Sequence, residues 1–510
     1  MPFAAFWGAL AALGAWVGFA NPYVQFPAAV LALPLGLTAL GMNAASPRRA
    51  FKLAWIAGSL ACLGCLAWVY WPVHHFGDVH WLLALPVPVL LSMAMGVYHG
   101  LFGLGAHYAS KRLPPLAALL FLGVSWCVME LAMGSLLSGF PWLTLSAAFV
   151  PWLAMVQPAA WVGALGLSGL FAIASAGPLF WPRSKACALI SLVVLASIFG
   201  LGTARLNSFE DLGKRHTVAV VQGNFDQSLK WDPSFQQETV QRYVDLSREV
   251  IAQSKPDLVV WPETAMPFYL QDETTLRTPV LRLAREAQIP FVVGSPAYLM
   301  RPGNSGYTLF NRAFLVNGGA GVSSWYDKEH LVPFGEYMPL AQYLPLQKLV
   351  QGVGDFEPGR DQKPLVSGDL ALGVLICYEA IFAELAQDRV SQGANLLVNI
   401  SNDAWFGATS APLQHLQLAT LRAIEQGRWL VRSTNTGISA FIDPLGHIQL
   451  AGAQFKPLAG VGTVHPRAET TLYHRLHTAL RIGLCATLAL FVGLMVLPGG
   501  RKNSKNRGRR

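Results

Sequence analysis

The 510-residue sequence is poor in charge: Asp, Glu, Lys and Arg make up 13% of it, 53% of the residues are apolar, and the mean hydropathy is +0.40. A soluble globular domain carries about 25% charged residues, so a wholly water-soluble chain is excluded. Signature motifs are also missing. There is no P-loop, no dinucleotide fingerprint and no His/Cys spacing of the metal-site kind, so neither cofactor nor metal is expected. No internal repeat is visible, and a basic tail is the only biased tract. Cysteine is scarce as well. Of six, Cys62, Cys65, Cys127, Cys187 and Cys485 lie in apolar runs, leaving Cys377 alone outside them and no basis for a disulfide framework. Cys62 and Cys65 form a C-x-x-C inside an apolar run without further ligands, which points to packing rather than redox or metal chemistry.

What is present is a division of the chain. Apolar runs near the ~20 residues that a helix needs to cross a bilayer fill residues 1–204 and 478–498, while 215–470 has ordinary charge density. Candidate spans are 3–20, 25–44, 53–72, 82–104, 115–134, 159–180, 186–204 and 478–498, about eight in all. The first lacks a basic n-region and a small-residue cleavage site, so it reads as retained.

The net charge of +9 comes from a few places: Arg48, Arg49 and Lys52; Lys111 and Arg112; Arg183 and Lys185; and the tail 499–510, with six basic residues. With these set aside, acidic residues outnumber basic ones, which argues against a nucleic-acid partner. The segment 73–81 has no Lys or Arg. By the positive-inside rule, the basic segments and the tail are cytoplasmic, and 215–470 faces the outside. In a Gram-negative cell that is the periplasm.

Residues 134–158, rich in Gly, Pro and Trp, break helical periodicity while staying apolar. Non-helical backbone at membrane depth is tolerated only against protein or a wet cavity. Trp142, Trp152 and Trp161 are expected at the headgroup level, on a lipid-facing lip or a plain interfacial loop. Glu130, an ionisable residue inside the fifth span, is expected to make a structural hydrogen bond to a neighbouring helix, with a polar contact in a lipid channel as the alternative.

In the outer region β-type runs alternate with helical stretches. Strands are expected at 216–224, 257–263, 290–297, 308–316, 322–328, 370–379, 395–401, 429–437, 438–446 and 461–466, and helices at 234–253, 274–287, 380–392 and 411–427. This is the pattern of an α/β domain with helices covering a sheet. VVWPE ends one strand with Glu263, SSWYDK another with Lys328, and LGVLIC a third with Cys377. Polar groups just past buried strands are expected at one sheet edge, where α/β folds place their sites.

An unpaired thiol in an oxidising compartment is either reactive or a buried inert hydrophobe. A free thiol, with a pKa of about 8.5, is mostly protonated at neutral pH and needs a base. Glu263 can take the proton, with burial raising its pKa and Lys328 lowering that of the thiol. Lys328 and the backbone N–H after Cys377 would then face an oxyanion, each such donor being worth about 3–4 kcal/mol.

The segments QGNFDQSLKW (222–231), WPETAMP (261–267), YDKEHLVPFGEYMP (326–339), ICYEAIF (376–382), NISNDAWFG (399–407), RAIEQGRWLVRSTNTGISAFIDPLG (422–446) and GFPWL (139–143) resemble the nitrilase superfamily and, within it, the apolipoprotein N-acyltransferases, over nearly the whole chain. The resemblance implies an αββα sandwich on a membrane bundle of eight helices. It implies a Glu–Lys–Cys triad falling on Glu263, Lys328 and Cys377, a supporting Glu336, and Trp231, Tyr378 and Glu379 as supporting or substrate-binding residues. Asn402, Asp403, Arg422 and Glu425 are expected to hold the scaffold. The activity implied is acyl transfer from a phospholipid, through a Cys377 thioester, to the α-amino group of a diacylglyceryl-cysteine at the N-terminus of an apolipoprotein. The enzyme would be embedded in the bacterial inner membrane, as a monomer and without cofactor. Met133 stands where relatives would carry a basic residue, which puts a headgroup contact from that position in doubt. A membrane-tethered amidase shares the triad but has no evident need for eight spans. A transporter or scaffold would need more ionisable residues in its spans than Glu130.

Overall fold

In a computed structural model the described residues are 2–227, 230–301, 306–319, 321–338, 355–360 and 363–497. The amino-terminal half is helical: α1 (Pro2–Gly18), α2 (Pro27–Asn43), α3 (Pro47–His75), α4 (Trp81–Arg112), α5 (Pro115–Ser135), α6 (Ala159–Phe180) and α7 (Lys185–Ser208). Proline opens many of these helices, where its missing N–H costs nothing; at α3, Ser46 also caps Arg49 N–H.

Six helices among the described residues are long and apolar enough to cross a membrane: those beginning at Pro47, Trp81, Pro115, Ala159 and Lys185, and the last helix. The first two candidate spans are shorter apolar helices. The basic residues Arg48, Arg49 and Lys52, and Lys111 and Arg112, lie in helical turns rather than between helices, because α3 starts at Pro47 and α4 runs on to Arg112. Small residues let the helices approach closely: a Cβ on Gly169 of α6 would lie 2.8 Å from the Gly123 carbonyl of α5.

The α/β domain follows as β1 (His216–Gln222), α8 (Pro233–Ser254), β2 (Leu258–Val260), α9 (Arg277–Ala287), β3 (Phe291–Met300), β4 (Tyr307–Asn317), β5 (Gly321–Asp327), β6 (Leu365–Ser367), β7 (Leu370–Ile376), α10 (Ala383–Ser391), β8 (Leu396–Ser401), α11 (Ala411–Gln426), β9 (Leu430–Thr434), β10 (Ala440–Ile442), β11 (Ile448–Ala451) and β12 (Leu458–Val464). The last helix, α12 (Leu472–Val496), begins six residues ahead of the expected anchor at 478. The basic tail lies outside the described residues.

The strands make two six-stranded sheets, ordered β12-β1-β2-β3-β4-β5 and β11-β10-β9-β8-β7-β6. Each has parallel central pairs (β1–β2–β3 and β7–β8–β9) and antiparallel margins. Strands buried on both faces read as continuous apolar runs, as LVV and LALGVLI do. Alternation assigns their faces. Val218, Val220, Val260, Val374, Ile376 and Val398 meet between the sheets. Ala219, Val221 and Trp261 face outward under α8 and α9. The result is an αββα sandwich.

The helix layer on the second sheet is not a free surface. Leu375, Leu397, Leu418 and Leu421 belong to one apolar core with α1–α7. Every residue of α11 except Leu413 is buried, although the helix carries Gln414, His415, Gln417, Arg422 and Glu425. A polar helix buried all round needs partners for each group. Gln414 accepts from Trp142 Nε1 (2.7 Å) and donates to the carbonyls of Ala20 (2.9 Å) and Cys65 (3.2 Å). α6 is broken at Gly163 (φ 71°), and Glu425 accepts the freed Ala164 N–H at 2.6 Å.

Candidate active site

Three strand ends deliver the site, but from two sheets rather than one edge. Glu263 follows β2 and Lys328 follows β5 in the first sheet; Cys377 follows β7 in the second. Face-to-face packing closes the gap that single-sheet reasoning leaves open. Cys377 has φ 51°, a left-handed conformation uncommon for a residue with a Cβ, and opens a tight turn over Cys377–Ile381.

Lys328 is buried. Its Nζ lies 2.8 Å from Glu336 Oε2 and 3.6 Å from Glu263 Oε1. Burial pulls its pKa down, but Glu336, Glu263 and Cys377 outweigh that and hold the ammonium above its ordinary value. Asn311 Nδ2 bridges Glu263 (2.7 Å) and Glu336 (2.9 Å), and Glu336 also accepts from Val332 N–H (2.9 Å). The second oxygen of Glu263 accepts the Asn402 N–H at 2.8 Å. Cys377 is buried close enough to Glu263 and Lys328 for both to act on it. Burial first, then the Glu263 charge, push the thiol up, and Lys328 only partly opposes them. Lys328 does act in the expected direction, lowering the thiol pKa, but desolvation outweighs it. Cys377 rests as a thiol.

The other expected residues have definite places. Tyr378 O–H donates to the Gly139 carbonyl (2.9 Å), tying the residue after Cys377 to the GFPW segment of the membrane half. Glu379 is wholly enclosed: Oε1 accepts from Tyr326 O–H and from the N–H groups of Glu329 and His330, and Oε2 from Ile376 N–H. Glu379 therefore braces the turn after Cys377 against the segment after Lys328 and is not open to a ligand. Trp231 is half-buried just ahead of the Asp232 cap of α8, and Ser228 and Leu229 of the same motif lie outside the described residues.

Met133 is buried, and its carbonyl accepts Phe140 N–H at 2.6 Å. Trp142 departs from expectation: it is 2% exposed, stacked on Phe140 and Tyr378 and packed against Trp68 and His415, so it is enclosed by protein and not turned to lipid. The demand of Gln414 for a donor draws it inward. Trp152 is exposed and Trp161 half-buried. Residues 136–149 run through two 3-10 turns with Leu137, Ser138 and Gly139 left-handed, so the segment is a wedge between the halves. Glu130 accepts from Trp126 Nε1 and Leu145 N–H, both at 2.8 Å; Trp126 is on its own helix and Leu145 is on the wedge, so the contact is structural. Asp403 pairs with Arg432 (2.7 Å) and Arg422 with Glu425 (2.9 Å), scaffold contacts like those expected.

Sequence reasoning missed Asn311, whose signal was a lone amide inside the strand run TLFNRAFLV, and Lys230. The Lys230 ammonium is buried, donates to Thr264 Oγ1 (3.0 Å) and the Glu263 carbonyl (3.5 Å), and is pushed down to about 7 by burial, with Glu263 pulling the other way. Thr264 is itself left-handed (φ 45°). Lys230 thus clasps the strained turn that carries Glu263. Among the described residues no group of three or more His, Cys, Asp and Glu side chains could hold a metal.

Comparison with known proteins agrees with this architecture in both halves. Residues 217–465 match the carbon-nitrogen hydrolase family and residues 6–177 the apolipoprotein N-acyltransferase N-terminal domain. The chain is 37% identical over 472 residues to the apolipoprotein N-acyltransferase of Geobacter metallireducens, covering 90% of this chain and 89% of that one. It is 34% identical to that of Azotobacter vinelandii (92% and 90% covered) and 32% identical to that of Nitrosomonas europaea (95% and 96% covered). With a multi-pass apolar bundle, an αββα domain seated on it and likeness along nearly its whole length, this chain belongs to the apolipoprotein N-acyltransferase family of bacterial membrane proteins.

Proposed function

We propose that the chain transfers an acyl group from a phospholipid, through a thioester on Cys377, to the α-amino group of the diacylglyceryl-cysteine that begins an apolipoprotein. The observation that carries this reading is a nucleophile, a carboxylate and an ammonium meeting beside a segment of the membrane half: Lys328 lies 3.6 Å from Glu263, both act on the Cys377 thiol, and Tyr378 bonds Gly139. Because the resting thiol is protonated, proton removal accompanies attack. Glu263 takes the S–H proton as sulfur adds to the ester carbonyl. Lys328 and the Tyr378 N–H face the oxyanion. The ester C–O bond breaks and Glu263 returns the proton to the departing lysophospholipid oxygen. In the second half, the acceptor amine adds to the thioester, Glu263 takes its proton and hands it to the leaving sulfur, and an amide remains. Two steps suit two bulky lipids that share one site. Glu336 and Asn311 hold Lys328 and Glu263 apart, and Trp231 with Tyr378 shapes the lipid side.

The topology proposed is eight spans, with α1 and α2 as the two short ones, the amino terminus and basic tail in the cytoplasm, and the catalytic domain on the periplasmic face of the inner membrane, as a monomer. Positive charge at Arg48, Arg49, Lys111, Arg112, Arg183 and Lys185 supports that orientation.

The test is intact-protein mass spectrometry after incubation with phospholipid alone. A hydroxylamine-labile acyl adduct on Cys377, missing in Cys377→Ser and discharged by a diacylated lipopeptide, is expected. Equal discharge by water would favour an amidase, and no adduct would refute the thioester.

A further inference from the structure

The strained turn at Cys377 needs something to hold it, and the group that does so is His415 of α11. Its ring is fully buried. Nε2 lies 3.1 Å from the Cys377 carbonyl oxygen, and Nδ1 lies 3.1 Å from Arg432 Nη2 and 3.3 Å from Asp403 Oδ1. A guanidinium only donates, so Nδ1 accepts from Arg432. The proton of the neutral ring is therefore on Nε2, pointing at a carbonyl that only accepts. Burial and the adjacent Arg432 charge both lower the pKa of the ring and keep it neutral. Asp403 is occupied elsewhere, paired with Arg432 at 2.7 Å and accepting from Ser401 Oγ at 2.7 Å. One other side chain, Asn399, donates to the same carbonyl, at a longer 3.4 Å, while its main bond goes to the Leu375 carbonyl at 2.8 Å.

The peptide unit between Cys377 and Tyr378 is planar and trans, so its C=O and N–H point in opposite directions. Drawing the carbonyl toward His415 turns the Tyr378 N–H away from α11. That N–H is the backbone donor that would face the oxyanion. We propose that His415 is a positioning residue for this donor: it fixes the plane of the Cys377–Tyr378 peptide while touching neither thiol nor substrate. α11 also meets Trp142 through Gln414 and, through Glu425, accepts the Ala164 N–H freed at the break in α6, so the membrane half and the nucleophile's backbone share one helix.

The proposal rests on Cys377 being the acylated nucleophile, and the experiment separates the two ideas. Full-length enzyme in detergent is compared with His415→Asn and His415→Gln. Asn keeps a polar end near Arg432 but is too short to reach the carbonyl; Gln places its Nε2 near that of histidine. Each is assayed for single-turnover acylation by phospholipid and for alkylation by iodoacetamide, a displacement at sulfur that forms no oxyanion. His415→Asn should lower the acylation rate about 100-fold, the effect of losing one oxyanion donor, with the donor's half-saturating concentration and the alkylation rate nearly unchanged. His415→Gln should stay within about tenfold of wild type. Equal loss in both reactions, no loss in either, or a folded His415→Gln as inactive as His415→Asn would overturn the proposal. Where His415→Asn does not fold, the His415→Gln result decides by itself. A wild-type enzyme that forms no adduct would instead sink the thioester reading.

Discussion

Glu336→Gln is the most informative single change outside the triad. The substitution keeps shape and an oxygen for Val332 N–H, and removes only charge. Lys328 is then a buried ammonium with one carboxylate instead of two, and that one is Glu263. The 3.6 Å gap between them is held open because Glu336 takes the lysine at 2.8 Å and Asn311 divides its amide between both acids. Without the Glu336 charge, Lys328 swings to Glu263 and pairs with the base. Removing one partner of a buried ion pair costs about 3–5 kcal/mol; Glu263 recovers part of this, so stability should fall by the lower end, about 3 kcal/mol. The base loses basicity and the oxyanion loses a positioned donor, which together should slow acylation about 100- to 1,000-fold. Thermal unfolding in detergent and single-turnover adduct formation measure the two effects. Acylation within threefold of wild type, at unchanged stability, would refute the claim that Glu336 keeps lysine and base apart.

Alkylation of Cys377 should rise about tenfold per pH unit through pH 9.5 with no plateau near the ordinary thiol value of about 8.5, because burial and Glu263 raise its pKa. Glu263→Gln should then speed alkylation while abolishing acylation; a plateau near 8.5 contradicts this. Asp403→Asn leaves Arg432 buried without a counter-charge and should cost about 3–5 kcal/mol in thermal unfolding. Burial alone would raise the Asp403 pKa, but the Arg432 charge and the hydrogen bond from the Ser401 hydroxyl outweigh it and hold it below the usual range. Its contribution is therefore present above the unfolded value of about 3.9 and lost as pH falls through the folded one; the variant should show a flatter acid limb below about pH 4. Gln414→Leu orphans Trp142 N–H and the carbonyls of Ala20 and Cys65, at about 1–3 kcal/mol for each group left unsatisfied. Faster limited proteolysis at the junction, with acylation impaired in parallel, is the expected result.

The parts of the site that were legible in the sequence share one physical trait. β2, β5 and β7 each end an apolar or alternating run with a polar residue, and such a boundary shows in one dimension. The short margins β6 and β11 carry no such contrast, and neither was anticipated. Trp142 reads as an interfacial anchor because composition reports apolar character but not the hydrogen-bond demand of Gln414, 272 residues away. Asn311, Lys230 and His415 are polar residues on buried faces; only packing shows which are satisfied and by whom.

The sequence by itself determined the apolar and polar halves, the α/β alternation, the lone thiol outside the membrane runs and the three strand ends. Those depend on composition and period, which are local. Tertiary structure alone decided that the strand ends come from two facing sheets, that desolvation outweighs Lys328 at the thiol, and that a buried polar helix links the membrane half to the Cys377 backbone. Distance, burial and hydrogen-bond satisfaction belong to groups far apart in the chain, and only the fold sets them.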